Sequence, residues 1–453
     1  MSNELTVVGG GLAGAEAAWQ AASMGVDVTL YEMRPKLQTG AHTGPFLAEL
    51  VCSNSLGSNL DNRASGVLKA EMRKLGSLLM LCADANVVPA GSALAVDRTG
   101  FACMVTEKVE NHPNINVIRT EKKTIPDGPT IIASGPLSSE SICNSISDIL
   151  GTDHLYFYDA ISPIVYADTI DMSIAFEASR YQSGSEANGD YINCPMNEEQ
   201  YEQFVTGLLQ GDRIPLREFE KDIESGVLAG SHRYFEGCLP IEILAERGRK
   251  SLAYGPMRPV GIVSPYDDQR PYAVVQLRRD NLAGTLYNIV GFQTNLKWND
   301  QKNVLRMIPG LGQARFARYG MMHRNTFINA PTALHETLQS RVRPDLFFAG
   351  QITGVEGYAG NIATGLLAGK NITRLINGDK PIVLPRTSMI GALCHYVANA
   401  EPDTFQPMKA NFGLFPSLQP PTNKRKWSKR ERYTLYSERA LKAIDTLQDD
   451  WKL

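Results

Sequence analysis

Three glycines near the start of the chain, Gly9, Gly11 and Gly14, are spaced as Gly-x-Gly-x-x-Gly. Glycine at such positions permits a tight turn, lets the backbone approach a pyrophosphate, and allows a helix to pack closely on a strand. Glu32 follows 18 residues after Gly14, where a carboxylate can accept hydrogen bonds from both hydroxyls of a ribose. The predicted dinucleotide loop consists of Gly9, Gly10, Gly11, Leu12, Ala13 and Gly14. Because the Glu32 carboxylate would repel a 2′-phosphate, NADP is disfavoured at this site.

The residues around this loop have the pattern of a β-strand, an α-helix and a second β-strand. Residues 5–8 are mostly apolar, residues 13–23 are nearly all helix formers, and residues 26–31 form another β run that ends at Glu32. The helix N-terminus would present N–H groups and the positive end of its dipole to a phosphate. The two strands, the helix between them and the acidic residue all match the dinucleotide-binding pattern, so the sequence predicts a Rossmann-like α/β unit.

Two later segments indicate that the dinucleotide is FAD. Residues 129–136 (PTIIASGP) have the pattern of a buried strand that ends in Ser-Gly, as found where flavoproteins cross back over the cofactor. Residues 345–350 form a β run that ends at Gly350, and a glycine-rich stretch then leads into a predicted helix at 361–375 whose positive end could face the flavin. No second glycine fingerprint occurs between residues 155 and 321. NADH or NADPH would therefore reach the flavin transiently, without a Rossmann domain of its own.

Composition and charge exclude several classes of protein. With 43% apolar residues the chain can bury a globular core, and its net charge of -3 gives no overall attraction to nucleic acid, so an RNA partner needs a local basic patch. The 7 cysteines include no Cys-x-x-Cys pair, which argues against a zinc site, a dithiol redox motif or a secreted disulfide framework. We recognise no signal peptide pattern and no apolar run of the roughly 18 residues that a membrane span needs. We expect a cytoplasmic protein with reduced thiols and no membrane partner.

The distribution of elements predicts a discontinuous FAD-binding Rossmann-like domain with an inserted α+β substrate domain, as in glutathione-reductase-type flavoproteins. The expected parts are residues 1–155, an insertion at 156–320 with a surface loop at 182–190, a second flavin part at 321–420, and a basic helical tail at 421–453. Ser428 and Glu431 have the spacing of a capping box that opens the tail helix. The apolar residues of this helix step by three and four, at Leu441, Ile444, Leu447 and Trp451.

Several short blocks match a known family. They are EMRP at 32–35, ELVCSNSL at 49–56, PAG at 89–91, LAVDR at 94–98, NCPM at 193–196, FEGCLP at 235–240, GPMRPVG at 255–261, YAVVQLR at 272–278 and MHRNT at 322–326. On these blocks, the chain resembles the bacterial folate- and FAD-dependent tRNA (uracil-5-)-methyltransferases from about residue 4 to residue 416. The blocks around Cys52 and Cys238, found together, are highly specific.

The resemblance implies a reaction. Family members take a methylene group from 5,10-methylenetetrahydrofolate onto N5 of the flavin, pass it to C5 of the uracil at position 54 of the tRNA T loop, and reduce it with electrons from NADH or NADPH. The resemblance assigns Cys238 as the thiolate that attacks the uracil and Cys52 as the second catalytic thiol beside the flavin. It also places Tyr358 near the flavin, where we expect stacking on the pterin of folate. After Tyr358 the sequence AGNIATG replaces the family's usual acidic-small-small run, which bears on individual flavin contacts.

This chemistry needs a nucleophile that adds to uracil and a base that removes a proton, and the resemblance assigns a cysteine to each function. Uracil C5 becomes nucleophilic only after addition at C6, and a thiolate can add there and leave again. The C5 proton must then be removed, and Cys52 is the predicted base. Cations stabilise a thiolate, and the basic residues near Cys238 in the sequence are His232, Arg233, Arg247 and Arg249. The remaining cysteines are expected to be small buried residues: Cys82, Cys103, Cys143, Cys194 and Cys394.

Basic residues near aromatic ones are the candidates for RNA contact, because phosphates attract cations and bases stack on rings. They are Arg278, Arg279, Arg315, Arg318, His323, Arg324 and the run KRKWSKR at 424–430. Three alternatives stay open: a paralogue that methylates a uridine of ribosomal RNA, a generic flavin oxidoreductase, and a non-enzymatic RNA-binding flavoprotein. The oxidoreductase is disfavoured because the sequence has neither a paired Cys motif nor a second nucleotide fingerprint.

Overall fold

The computed structural model describes residues 3–180, 189–214, 239–419 and 427–448. The strands are β1 Glu4–Val8, β2 Asp27–Glu32, β3 Ser55–Ser58, β4 Val87–Val88, β5 Ala93–Val96, β6 Ile115–Arg119, β7 Thr130–Ile132, β8 Leu155–Ala160, β9 Ile164–Tyr166, β10 Phe176–Ala178, β11 Tyr191–Met196, β12 Ala273–Arg279, β13 Leu286–Ile289, β14 Phe316–Arg318, β15 Met322–Phe327 and β16 Leu346–Phe348. The helices are α1 Leu12–Ser23, α2 Ala64–Lys74, α3 Leu78–Ala85, α4 Arg98–Glu110, α5 Glu140–Leu150, α6 Glu198–Gln210, α7 Ile241–Glu246, α8 Ser251–Tyr254, α9 Trp298–Leu305, α10 Ala330–Ala333, α11 Tyr358–Ile376, α12 Met389–Asn399 and α13 Lys429–Gln448. None of these helices is both long and apolar enough to cross a membrane.

The first half of the molecule is built on a parallel sheet with strand order β16, β7, β1, β2, β6. β1 lies in the middle and pairs in parallel with both neighbours, so that Val7 lies opposite Leu30 of β2 and opposite Ile131 of β7. Parallel strands are apolar on both faces because helices cover both sides of the sheet. The order β1, α1, β2 confirms the predicted βαβ unit and, with the second sheet described below, the predicted α/β fold class.

The alanine-rich face of α1 packs directly on α11. A Cβ atom added to Gly365 would lie 2.2 Å from the carbonyl oxygen of Ala13, and one added to Gly369 would lie 2.6 Å from that of Ala17. Both distances are far below van der Waals contact, so the two helices can approach this closely only because glycine faces alanine. This packing fixes the N-terminal end of α1, where the predicted dinucleotide loop begins.

A second half folds around an antiparallel sheet with strand order β10, β11, β12, β13, β9, β14. Its hydrophobic core contains buried residues between Val165 and Ala314, whereas the core of the first half contains residues from Leu5 to Leu155 and from Phe327 to Ile444. The two cores support the proposed division at about residues 155 and 320, and the boundaries themselves stay a prediction. The predicted surface loop at 182–190 lies almost wholly outside the described residues.

The two halves are connected by a pair of antiparallel strands. β8 carries the chain out of the first half and β15 brings it back, with Leu155 opposite Phe327 and Ala160 opposite Met322. The predicted insertion therefore leaves and re-enters the first half at one place, and this place lies on the side of the sheet that carries the site described below.

The C-terminal helix α13 begins as predicted. The backbone N–H of Ser428 donates to Glu431 Oε2 at 2.9 Å, and the N–H of Glu431 donates to Ser428 Oγ at 3.1 Å, which is a capping box. Its buried face consists of Tyr436, Ala440 and Ile444, which belong to the first core. Of the predicted apolar positions, Ile444 is buried, Leu441 and Leu447 are half-buried, and Trp451 lies outside the described residues.

Candidate functional site

The three glycines of the N-terminal loop are required by their surroundings in different ways. Gly9 has a φ of +103°, and a Cβ there would lie 2.4 Å from the carbonyl oxygen of Ala133. A Cβ on Gly14 would lie 1.8 Å from the carbonyl oxygen of Gly9. At Gly11, by contrast, an added Cβ would meet no atom within 4 Å. Gly9 and Gly14 are therefore needed for packing, and Gly11 leaves open space in front of the α1 N-terminus, where a pyrophosphate can lie.

Glu32, at the end of β2, is a buried carboxylate with several donors. It accepts hydrogen bonds from the backbone N–H of Gly10 at 2.9 Å and from Arg34 Nε at 2.9 Å. Arg34 also forms an ion pair of 3.0 Å with Glu49. Burial alone would raise the pKa of Glu32, but the hydrogen bonds and charge of Arg34 outweigh it and hold the pKa below its usual range. Glu32 is therefore ionised beside the glycine loop, and its contact with a ribose stays a prediction.

A cleft with about 980 Å³ of empty space extends along the carboxyl ends of the parallel strands. Its lining includes Gly11, Glu32, Ser134, Gly350, Tyr358 and Asn361. The Oδ1 atom of Asn361 is buried there and has no hydrogen-bond partner in the described part of the chain, which indicates a donor supplied by a ligand. An extended cleft with a phosphate-binding loop at one end and this acceptor at the other fits FAD.

The far end of the cleft is formed by Tyr358 at the start of α11. The predicted helix at 361–375 thus begins three residues earlier than expected. The Tyr358 hydroxyl oxygen accepts hydrogen bonds from the backbone N–H groups of Cys52 at 2.7 Å and Ser53 at 3.2 Å. Burial, followed by the negative charge of Cys52, raises the pKa of Tyr358, so the phenol is neutral. Stacking of its ring on a pterin stays a prediction.

Arginines from distant parts of the chain hold the segment that contains Cys52. Arg98 donates to the carbonyl oxygen of Leu50, and Arg318 donates to the carbonyl oxygen of Val51 at 3.0 Å. Arg98 in turn forms an ion pair of 2.7 Å with Asp280 of the second half. The Cys52 segment is therefore fixed between the two halves of the molecule, next to Tyr358 and the end of the cleft.

One predicted RNA contact, at Arg278, is wrong because the side chain is buried, and the contact at Arg318, which is half-buried, stays a prediction. Arg278 is only 7% exposed, and its Nε donates to Asn54 Oδ1 at 2.9 Å, while Arg318 is occupied by backbone carbonyls. Both side chains are drawn inward because buried acceptors of the Cys52 segment need donors. Arg279 and Arg315 are at the surface, and the exposed guanidinium of Arg315 lies 5.0 Å from the ring of Tyr166.

Several predicted residues lie outside the described part of the chain. They are Cys238, His232, Arg233, the side chains of His323 and Arg324, and residues 424–426 of the basic run. In the described part, Cys82, Cys194 and Cys394 are buried as predicted, and burial raises their pKa values to about 11, 12 and 12. Cys103 and Cys143 are half-buried. Among the described residues, no group of His, Cys, Asp and Glu could hold a metal ion.

Sequence reasoning missed Asn54, Arg98 and Asp280 as parts of this site. Asn54 Nδ2 donates to the carbonyl oxygen of Arg279 at 2.8 Å, so it joins the Cys52 segment to β12. Arg98 and Asp280 are 182 residues apart, and no local pattern connects them. The only signal was that Asn54, Arg98 and Arg278 each occur in a block that resembles the family.

The chain matches the family model of glucose inhibited division protein A over residues 4–380. It is 54% identical over 445 residues to the methylenetetrahydrofolate--tRNA-(uracil-5-)-methyltransferase TrmFO of Exiguobacterium sibiricum, which covers 98% of this chain and 99% of that protein. The enzyme of the same name from Bacillus subtilis is 52% identical over 443 residues, with 98% of each chain covered. GidA of Aquifex aeolicus in its form II crystal shares the fold, with a TM-score of 0.66 at 17% identity over 98% of this chain and 73% of that chain. The chain therefore belongs to the family of methylenetetrahydrofolate–tRNA-(uracil-5-)-methyltransferases, within the broader family of glucose inhibited division protein A.

Proposed function

We propose that this protein transfers the one-carbon unit of 5,10-methylenetetrahydrofolate to C5 of uridine 54 in the T loop of tRNA. The observation that carries the proposal is the junction at Tyr358, where the end of a dinucleotide cleft meets the Cys52 segment. FAD bound in this cleft would supply the carrier of the one-carbon unit and the electrons that reduce it to methyl, and NADH or NADPH would renew those electrons. The reaction would take place in the cytoplasm, where its substrates are found.

The residues of the cleft are suited to hold FAD. The N–H groups at the start of α1, next to Gly11, would bind the pyrophosphate, and the ionised Glu32 would accept a ribose hydroxyl. Gly350 lies at the end of β16 with its backbone N–H bonded to Thr364 Oγ1 at 2.8 Å, which keeps this edge of the cleft narrow and free of side chains. The buried Oδ1 of Asn361 would accept a hydrogen bond from the cofactor.

The two thiols would carry out different steps of the reaction on uracil. Cys238 would add as a thiolate to C6, which makes C5 nucleophilic, and Cys52 would remove the C5 proton after the one-carbon unit has been transferred. Tyr358 would hold the backbone of Cys52 through its hydroxyl oxygen while its ring stacks on the pterin. These roles are carried over from the family, and they agree with the position of Cys52 at the end of the cleft.

A row of stacked aromatic rings is a suitable surface for the RNA. The ring of Tyr319 stacks on Trp298 with a centroid distance of 6.0 Å and on Phe316 with a distance of 5.1 Å. Trp298 is exposed, and Arg318, between Phe316 and Tyr319 in the sequence, reaches the carbonyl oxygen of Val51 beside Cys52. Unpaired bases stack on such rings, so we expect the T arm to bind along this row.

The test is methylation in vitro with purified FAD-containing protein, methylenetetrahydrofolate and NADPH. We expect 5-methyluridine at position 54 of a tRNA transcript, none in a transcript with cytidine at that position, and none with S-adenosylmethionine as the methyl donor. Cys238→Ala should retain FAD and form no covalent complex with 5-fluorouracil-containing tRNA, whereas Cys52→Ala should lose roughly a hundred- to ten-thousandfold in rate. Methylation of ribosomal RNA alone would overturn the tRNA assignment, and a protein that takes up no FAD would overturn the whole proposal.

A further inference from the structure

In the described part of the chain, most of the charged side chains that approach the Cys52 segment are cations. Arg98, Arg278 and Arg318 each approach the segment of residues 50–54 from a different element, and Cys52 acts electrostatically on all three. The charge of Asp280 is taken up by Arg98, at 2.7 Å. In the described part of the chain, Arg278 and Arg318 form no ion pair, since Arg278 donates to the neutral amide of Asn54 and Arg318 to backbone carbonyls.

We propose that Arg98, Arg278 and Arg318 form a cationic cradle, built from both halves of the molecule, that keeps the Cys52 thiol ionised and fixes it at the end of the cleft. The inference rests on the proposed function of Cys52 as the base that removes the uracil C5 proton. A thiol accepts a proton only as a thiolate, so a base at neutral pH needs cations close to it. The three arginines would act through Cys52 and are positioning residues.

Burial makes this arrangement effective. Desolvation lowers the pKa of both Arg278 and Arg318, which means that the nearby carboxylates, Asp280 and Glu49, do not compensate in full for the water that these charges have lost. A nearby thiolate would stabilise these desolvated guanidinium charges. The interaction is mutual, so the guanidinium groups stabilise the ionised form of Cys52 by the same free energy. Among the described residues, the other titratable groups near them carry no compensating negative charge: the Tyr358 phenol is neutral, and burial and Arg34 lower the pKa of His42 to about 4. Glu49 is shared with Arg34.

Asp280 makes it possible to distinguish an electrostatic effect on Cys52 from a purely structural one. It neutralises one of the three cations, at Arg98. Removing an arginine charge should make Cys52 harder to ionise, whereas removing the Asp280 charge should make it easier to ionise. Opposite effects of neighbouring substitutions on one thiol indicate electrostatics, because mere loosening of the segment would act in the same direction in each variant.

The experiment measures the alkylation rate of Cys52 by iodoacetamide against pH in the FAD-loaded protein, with mass spectrometry to separate this cysteine from the others. For the unaltered chain we expect an inflection well below the value of about 8.5 of an ordinary thiol. Arg278→Gln and Arg318→Gln should raise the inflection by about one pH unit, which slows alkylation by about tenfold at pH values below both inflections and by about two- to fivefold at pH 7, and the corresponding lysine variants should restore most of the rate. Asp280→Asn should lower the inflection.

Arg306→Gln is the matched control. Arg306 also donates to a backbone carbonyl, that of Ala314, at 2.8 Å, but it follows α9 in the second half, and its hydrogen bonds go to Ala314 and not to the Cys52 segment. This variant should keep the inflection of the unaltered chain. The cradle is refuted if the arginine variants that retain FAD keep that inflection too, or if Asp280→Asn raises it. Because alkylation needs no RNA, such a result would leave the proposed methyltransferase activity to be judged by the methylation of tRNA alone.

Discussion

The two ends of the cleft are built in opposite ways. At the glycine end, all the contacts lie within the first half, and those inside the loop are near in sequence: Gly14 packs on Gly9, and Glu32 accepts the N–H of Gly10 over 22 residues. At the Cys52 end, the contacts span hundreds of residues, 306 from Cys52 to Tyr358 and 267 from Val51 to Arg318. The glycine end is thus defined by one βαβ unit, and the Cys52 end exists only when both halves have folded and met.

This difference separates binding from reactivity. A βαβ unit has its loop geometry as soon as its strands pair, so the glycine end can bind a dinucleotide whatever happens in the second half. The Cys52 end depends on side chains of α4, β12 and β14, and a small shift between the halves would move the thiol without closing the cleft. Substitutions at the two ends should therefore have effects of different kinds.

The largest effect is expected from Gly14→Ala. The added Cβ would lie 1.8 Å from the carbonyl oxygen of Gly9, so α1 would have to move away from the sheet. Overpacking of this severity costs about 3 kcal/mol or more, and the variant should lose both bound FAD and thermal stability. Gly11→Ala is the matched control, because its Cβ meets no protein atom. It should keep the thermal stability of the FAD-free protein and bind FAD at least about tenfold more weakly; an equal loss of thermal stability in both variants would contradict this assignment.

Tyr358→Phe tests the other end. It removes the oxygen that accepts the N–H groups of Cys52 and Ser53, and leaving such groups unpaired costs about 1–3 kcal/mol. We expect Cys52 to shift from its position because its backbone N–H no longer has an acceptor. Methylation should then slow by about ten- to a hundredfold at saturating tRNA while FAD stays bound. Tyr396→Phe removes a comparable hydroxyl, which donates to the carbonyl oxygen of Gln406 at 2.8 Å, and should leave the rate unchanged. Loss of FAD from the Tyr358 variant would show that the two ends are not separable.

A smaller effect is expected at the surface. Trp298→Ala removes the outer ring of the stacked row, and stacking of a base on an aromatic ring contributes about 1–3 kcal/mol. The KM for tRNA should rise by roughly five- to fiftyfold, with little change in kcat and none in the alkylation of Cys52. Leu81→Ala is the control, since Leu81 is as exposed as Trp298, at 56%, and belongs to the first half. An equal rise of KM in both variants would exclude the aromatic row as the RNA surface.

The difference between short-range and long-range contacts also explains which parts of the site could be predicted from the sequence. The spacing of Gly9, Gly11, Gly14 and Glu32 predicts their neighbourhood because a βαβ unit is a local structure. The position of Cys52 at the cleft came from the resemblance, and the start of α11 at Tyr358 was placed late because glycines near it are poor helix formers that tertiary packing overrides.

The arginines show most clearly that local sequence does not predict which side chains are buried. A basic residue beside aromatic ones has the same local pattern whether it faces RNA or the interior, so this pattern predicts RNA contact for Arg278 although its side chain is buried. Burial is decided by where the two halves meet, and that is a property of the whole chain. Arg98 and Asp280 form their pair only through the same meeting of the halves.

The smallest effect on FAD binding and methylation is expected at Glu71, a buried carboxylate that joins α2 to the start of α12. It accepts the N–H groups of Met389 and Ile390 at the start of α12, at 2.6 and 2.9 Å, across 318 and 319 residues. Burial raises its pKa to about 8, against 4.5 in the unfolded chain. Between these values the folded protein holds the proton more tightly than the unfolded chain, so this group makes the folded state less stable as the pH rises through this window, by up to about 1.4 kcal/mol per pH unit.

Glu71→Gln removes the titration and keeps an oxygen that can accept a backbone N–H. The free energy of unfolding, measured with urea between pH 5 and pH 8, should therefore fall less steeply with rising pH in this variant than in the unaltered chain. The comparison of slopes isolates Glu71, because every other titrating group is common to both proteins. FAD content should be the same in both, since the glycine end does not depend on this anchor. Parallel slopes would mean that Glu71 is ionised in the folded state, with the α12 N-terminus compensating its burial in full.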